Sequence, residues 1–319
     1  LGDGHGGLAL ALSQGQPTLG AHAGGGPERN DLLKAAVAEM NAAYSGPRAR
    51  AIPSIPANPH RTDFTALPEY QQAIADPARM PVGYDYEYAD PFSFDLTANY
   101  VYLITGTKQS GKSVLMENLM LNAMDKGDEV VILEVGDSRF AQIAQEHQLL
   151  RCTDGQSVYD FLARIHGELL QRAVIKKACM DARQSDLEMF TAALENRRIN
   201  IFIGNLLALI EELYSSESPA FNAQGLFETL CERGKGYNIF LYAEVSDRDE
   251  AELMGYTCFE SMRGYRSGIR FGGRFSEQKL FSFENVNYLE QDRSMKAGIG
   301  MIPSENRDDR QVKVVVPMS

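Results

Sequence analysis

From residue 99 the chain alternates short apolar runs with longer amphipathic ones. "YVYLITG" (100–106) is rich in β-branched and aromatic residues and predicts a buried strand. "KSVLMENLMLNAMDKG" (112–127) predicts a helix that stops at Gly127. "DEVVILEVG" reads as a second strand, and "VYDFLARIHGELLQRAVIKKACMDA" as a long helix with Phe161, Ile165, Leu169 and Ala173 on one side. "RRINIFIGNLLALIEEL" (197–213) reads as a strand over Ile199–Ile203 running into a helix. "FNAQGLFETLCERGKG" is helical, "YNIFLYAEV" is another buried strand, and "SGIRFGG", "AGIGMI" and "QVKVVVP" are short strands. Strands alternating with helices predict an α/β fold with a mostly parallel central sheet covered by helices on both faces.

The first hundred residues read differently. Residues 1–27 are glycine-rich, with "LALALSQ" as one short strand in a linker. Residues 31–44 predict an amphipathic helix with Leu33, Val37 and Met40 on one face. Residues 46–98 hold most of the prolines and read as an extended lead-in that wraps the next domain. The expected division is therefore residues 1–45, a glycine-rich segment and linking helix, and residues 46–319, the α/β module with its lead-in.

Composition narrows the class. The chain of 319 residues is 44% hydrophobic and 23% charged, ordinary for a globular protein. A net charge of −12 argues against tight non-specific binding to nucleic acid, which depends on neutralising phosphates. Cys152, Cys179, Cys231 and Cys258 are widely spaced, which argues against a zinc site or disulfide framework and for a reducing compartment. No apolar run reaches the roughly 20 residues that span a bilayer. The chain begins at Leu1, so a fragment of something longer is expected, with any membrane anchor outside it.

"GTKQSGKS" carries the chemistry. Gly106, Thr107, Lys108, Gln109, Ser110, Gly111, Lys112 and Ser113 satisfy G-x-x-x-x-G-K-[ST] in full. Glycines let the backbone curl so that successive N–H groups point at phosphate oxygens, and the following helix adds its positive end. Lys112 is expected to reach the β- and γ-phosphates and Ser113 to ligate Mg²⁺, making ATP and Mg²⁺ the expected cofactors.

The partner motif is missing. In phosphate-loop ATPases a second strand ends in carboxylates that hold magnesium and activate water. The strand 199–203 ends in Gly204 and Asn205. Asn205 can hydrogen-bond a water but cannot serve as a base. Glu134 and Asp137 follow a strand expected to lie farther from the loop, and Glu211 and Glu212 fall well along the next helix. Glu244, at the end of "IFLYAEV", is the one candidate catalytic acid. The alternative is an exposed loop carboxylate.

The order of elements resembles the FtsK/SpoIIIE superfamily of ring-forming motor ATPases. "MPVGYDYEYADPFSFDLTANYVYLITGTKQSGKSVLMENLM" resembles its lead-in and phosphate loop. Gly204, Asn205 and Ala208 stand where its three acids would be, and Ala243 and Glu244 replace its Thr-Gln sensor. Within the superfamily the layout is most similar to the last ATPase module of the EssC/EccC type of type VII secretion. The resemblance implies a RecA-like P-loop NTPase domain on the cytoplasmic side of a plasma-membrane-anchored protein. It implies other ATPase modules of the same chain or ring as partners. It also implies the C-terminal signal of small helical WXG-type proteins, and weak or absent hydrolysis. On that reading residues 1–45 are the tail of a preceding module. Two rivals are an active DNA translocase of the same superfamily and an interaction platform that binds no nucleotide.

Four further features each admit two readings. Arg263, Arg266, Arg270 and Arg274 are candidates for an arginine finger or a nucleic-acid patch, against ordinary surface arginines. Tyr84, Tyr86 and Tyr88 are candidates to border an adenine, against packing of the lead-in. Leu253, Met254 and Phe259 are candidates for the floor of a peptide groove, against core packing. His147 and His166 have no partner in sequence and read as structural or exposed.

Overall fold

The fold is taken from a computed structural model that describes residues 27–44, 46, 54–283, 286, 291–303 and 311–318. The chain divides into two units, Leu1–Ile52 and Pro53–Ser319. In the first, helix α1 (Pro27–Ala43) covers the predicted amphipathic stretch, and Leu33, Val37 and Met40 are all exposed. The proposed strand "LALALSQ" lies outside the described residues.

The second unit is built on one sheet. Its strands in chain order are β1 (Arg79–Asp85), β2 (Pro91–Asp95), β3 (Val101–Gly106), β4 (Glu129–Leu133), β5 (Leu150–Cys152), β6 (Ile199–Ile203), β7 (Ile239–Ser246), β8 (Gly268–Phe271), β9 (Ile299–Ile302) and β10 (Val312–Val315). They lie side by side as β2-β1-β10-β9-β8-β3-β7-β6-β4-β5. The six strands from β8 to β5 are parallel, and the four from β2 to β9 join antiparallel. Every residue of β3 and β6 is buried, as strands covered on both faces require.

The helices are α2 (Arg61–Thr65), α3 (Pro68–Ala75), α4 (Lys112–Asp125), α5 (Ala141–Glu146), α6 (Gly155–Asp181), α7 (Asp186–Ala193), α8 (Leu206–Tyr214), α9 (Gln224–Arg233), α10 (Glu250–Leu253) and α11 (Thr257–Gly264). The chain crosses the sheet one way from β3 to β4 and the other way from β6 through β7 to β8. Right-handed crossovers therefore set α4 on one face and α8, α9 and α11 on the other. Local chemistry fixes the ends. Asp154 and Ser185 make capping boxes with Ser157 and Glu188 at the starts of α6 and α7. Past the end of α4, Gly127 takes φ 77°.

The lead-in departs from the extended segment expected of 46–98. Its described part folds into α2, α3 and the β1–β2 hairpin, and the hairpin extends the antiparallel half of the sheet. A buried polar network fastens it to α4: Arg61 Nη1 and Tyr70 Oη donate to Asn122 Oδ1 at 2.7 and 2.8 Å, and Asn122 Nδ2 donates to Pro81 O at 2.9 Å. Of the three tyrosines only Tyr84 follows the packing alternative, meeting Phe64 edge-on at 4.9 Å; Tyr86 and Tyr88 are exposed, with the Lys313 ammonium 5.2 Å from the Tyr86 ring.

Candidate functional site

In the parallel half of the sheet, strand register brings distant residues level. Ile104 pairs with Glu244 and Gly106 with Ser246 between β3 and β7. Ala243 pairs with Ile203, so Gly204 follows level with Glu244. The chain leaves β3 towards α4 and reaches β7 from the other side, so these carboxyl ends form the switch point where open α/β sheets bind ligands.

The loop after β3 has the shape its glycines allow. Gly106 (φ 148°) lies so close to β8 that a Cβ there would sit 2.1 Å from Phe271 O, and Gly111 (φ 114°) opens α4 against Gly298. Gln109 takes φ 59°. The amides of Gln109 through Ser113 find no hydrogen-bond partner among the described residues. They end in α4, whose dipole adds to them. This is a fit for phosphate. The Lys112 ammonium is buried inside the loop, donating to Gly106 O at 3.0 Å and Thr107 O at 2.8 Å, with Glu244 at 3.7 Å. Burial lowers its pKa, and the nearby carboxylates of Glu244 and Asp247 oppose the shift.

Glu244 is not the exposed loop carboxylate weighed as the alternative; it is buried at 7% exposure in the middle of the site. Arg139, from the turn between β4 and α5, holds it. Arg139 Nη1 lies 2.9 and 2.8 Å from the two Glu244 oxygens and 3.0 Å from Ser113 Oγ. Its Nη2 donates to Gly204 O and its Nε to Asp137. Burial works against the charge, but Glu244 and Asp137 outweigh it and raise the Arg139 pKa. Sequence reasoning missed Arg139 because its partners in the site, Ser113, Gly204 and Glu244, lie 26, 65 and 105 residues away.

At the end of β6 a Cβ on Gly204 would approach the buried Phe140 ring to 3.1 Å. Asn205 faces the backbone: its Oδ1 accepts from Ala208 N at 3.2 Å and caps α8. Glu134 is fully buried and accepts from Phe140 N and Arg151 Nε. Its strand β4 is separated from β3 by β7 and β6. The residues do not fit Mg²⁺ as arranged. Ser113 Oγ and Glu244 are held by a guanidinium, residues 204 and 205 bring no carboxylate, and no cluster of three metal-ligating side chains occurs among the described residues.

The loop, Arg139 and Glu244 open into a cleft of about 1160 Å³. Ile299, Val315, Val316 and Met318 give it apolar lining, and Lys296 lines it too. Tyr84, Tyr86 and Tyr88 are not among its lining residues.

The arginine cluster does not make one cationic surface. Arg270 is 1% exposed and forks onto Asp247, with Nη2–Oδ2 at 2.9 Å. Arg263 and Arg274 pair with the neighbouring Glu260 and Glu277. Leu253 and Phe259 are fully buried in the core, which removes them as the floor of a peptide groove; Met254 packs against that core. His147 is exposed and His166 half-buried. No helix among the described residues is long and apolar enough to cross a membrane.

This architecture is the α/β fold of P-loop ATPase domains. Among solved structures it is similar to the cytoplasmic domain of EssC, with TM-score 0.69 and 16% identity over 93% of this chain and 55% of that one. Thermomonospora curvata EccC (ATPases 2 and 3), solved with a signal sequence peptide, matches with TM-score 0.60 and 15% identity over 90% and 48%. The pCW3 conjugation coupling protein TcpA, solved with ATPγS, matches with TM-score 0.63 and 14% identity over 90% and 82%. The chain spans about half the length of the EssC and EccC chains it matches. No family model and no curated protein matches it.

Proposed function

We propose that this chain is an ATP-binding module of a type VII secretion motor in which hydrolysis is weak or absent and nucleotide occupancy sets the shape seen by partners. The observation that carries it is the set of loop amides, unpartnered among the described residues, around the buried Lys112 ammonium at the mouth of a cleft large enough for a nucleotide. The EssC- and EccC-like fold supports the secretion reading. Such a module would be the cytoplasmic part of a membrane-anchored chain. It would work beside other ATPase modules, with residues 1–45 as the tail of the one before.

Slow turnover follows from the strand end. Neither Gly204 nor Asn205 offers a carboxylate, and Glu244 is engaged by Arg139 and Lys112. Lys112, Arg139 and the loop amides bind and orient phosphate, and among the described residues lining the cleft both carboxylates are engaged, Glu244 by Arg139 and Asp247 by Arg270, so neither is free to take a proton from water. A bound-but-unspent nucleotide suits regulation or recognition of a secreted signal, as the peptide bound to EccC suggests.

The test is a thermal-shift titration with ATP. Wild type should gain about 2.7 kcal/mol at a hundredfold excess over Kd, and Lys112→Ala should lose that gain. Equal shifts in the two proteins, or none in either, would leave the interaction-platform reading standing.

A further inference from the structure

Arg139 occupies a position that needs explaining. One guanidinium touches Ser113, Glu244 and Gly204, which come from the loop end, the β7 end and the β6 end. A phosphate-loop enzyme expects a divalent ion among these positions, ligated by the Ser hydroxyl and steadied by carboxylates. Here the hydroxyl accepts from Arg139, and the carbonyl at the end of β6 accepts from it too. The Glu244 carboxylate one strand over is bridged by Nη1, the nitrogen that donates to Ser113.

The substitution is built into the surroundings. Asp137 takes the Arg139 Nε and accepts from the amides of Ser138 and Arg139, which fixes the stem. Phe140, the next residue, is fully buried and fills the space where a side chain at 204 would begin. A carboxylate at 204 would press on the Phe140 ring, which would have to give by a few tenths of an ångström, and a metal beside it would meet the Arg139 guanidinium. Charge points the same way. Glu244 alone would repel a γ-phosphate; paired with Arg139 and 3.7 Å from Lys112, it is neutralised. Of the two Nη2 hydrogens, only one is used among the described residues, by Gly204 O, which leaves a donor for an anion.

We propose that Arg139 is the resident cation of this site, so that a nucleoside triphosphate binds here without a divalent metal. The proposal rests on the nucleotide-binding reading above and adds the metal independence. A guanidinium suits the task because its charge is permanent and its fork meets several oxygens at once.

The experiment is calorimetric titration of ATP into the chain in excess Mg²⁺ and in EDTA, with wild type, Arg139→Ala and Arg139→Lys. Wild type should bind equally in both buffers, within about threefold, because charge-assisted hydrogen bonds are already in place. Arg139→Ala should lose about tenfold or more in EDTA. Mg²⁺ should recover part of that loss, since Ser113 and Glu244 are then released to hold it. Arg139→Lys should fall between, keeping the charge without the fork. Wild-type binding that needs Mg²⁺ would overturn this proposal alone, and so would EDTA binding unchanged in Arg139→Ala. No binding in either buffer would overturn the nucleotide reading and this proposal with it.

Discussion

The end of β3 and the end of β6 face the same cleft but are built by different means. At β3 the chemistry is in the backbone: a left-handed Gly106, a curled loop and a row of amides leading into α4. At β6 it is in side chains that arrive from elsewhere, with Arg139 and Phe140 closing over Gly204. A backbone cradle depends on a few adjacent residues and holds phosphate whatever happens beyond it. A hydrolytic strand end depends on one carboxylate held at one place, and a single replacement removes it. Binding and turnover can therefore separate in one domain.

Turnover should show the largest effect. General-base catalysis is typically worth about 10²–10⁴-fold, so on the proposed reading, in which no base is available, the chain should release phosphate near the uncatalysed background even when saturated with ATP. Glu244→Gln should leave that rate where it was. Robust hydrolysis that vanishes in Glu244→Gln would make Glu244 a working base and erase the contrast between the two strand ends.

The same contrast explains what the sequence made legible. Residues 106–113 are contiguous, so their loop is readable, and so are β3, β4, β6 and β7, whose apolar runs are short and rich in β-branched and aromatic residues. Gly204 and Asn205 follow β6, as chain order predicts. Arg139 was invisible because only the folding of three strands makes it a neighbour of Ser113, Glu244 and Gly204. The lead-in hid its hairpin because Pro81 sits inside β1 and Pro91 opens β2, and prolines argue against a strand. β5 spans only Leu150–Cys152, too short for a periodic signal. Leu253 and Phe259 are apolar in both a groove floor and a core, and only burial distinguishes them.

A smaller effect tests the closed strand end directly. Gly204→Asp puts a Cβ 3.1 Å from the Phe140 ring and a carboxylate beside Arg139. Overpacking of this kind costs about 1–3 kcal/mol, read as a lower melting temperature. Adding Phe140→Leu should recover part of the loss by giving the new side chain room. A Gly204→Asp protein as stable as wild type would show that the β6 end is open, and the contrast with the loop would weaken.

The smallest effect concerns Asn205, the one polar residue at the β6 end. If it served the nucleotide, its loss would weaken ATP binding. Its Oδ1 instead accepts the Ala208 amide, and α8 presents no acidic residue in its first turn to share that role. Asn205→Ala should therefore cost about 1 kcal/mol of stability, the usual worth of an N-cap. Its ATP affinity should stay at the wild-type value. Asn205→Asp keeps an oxygen in the same place and adds a negative charge at a helix N-terminus, where charge is favourable. It should match wild type in stability within about 0.5 kcal/mol. It should also leave turnover at background, because the restored acid is spent on the α8 amide. Chemical denaturation of the three proteins, with ATP titrations alongside, separates the roles. Weaker ATP binding by Asn205→Ala with unchanged stability would move Asn205 from the helix to the nucleotide. Measurable hydrolysis by Asn205→Asp would show that one restored acid suffices, and that the β6 end differs from a working one by a single residue.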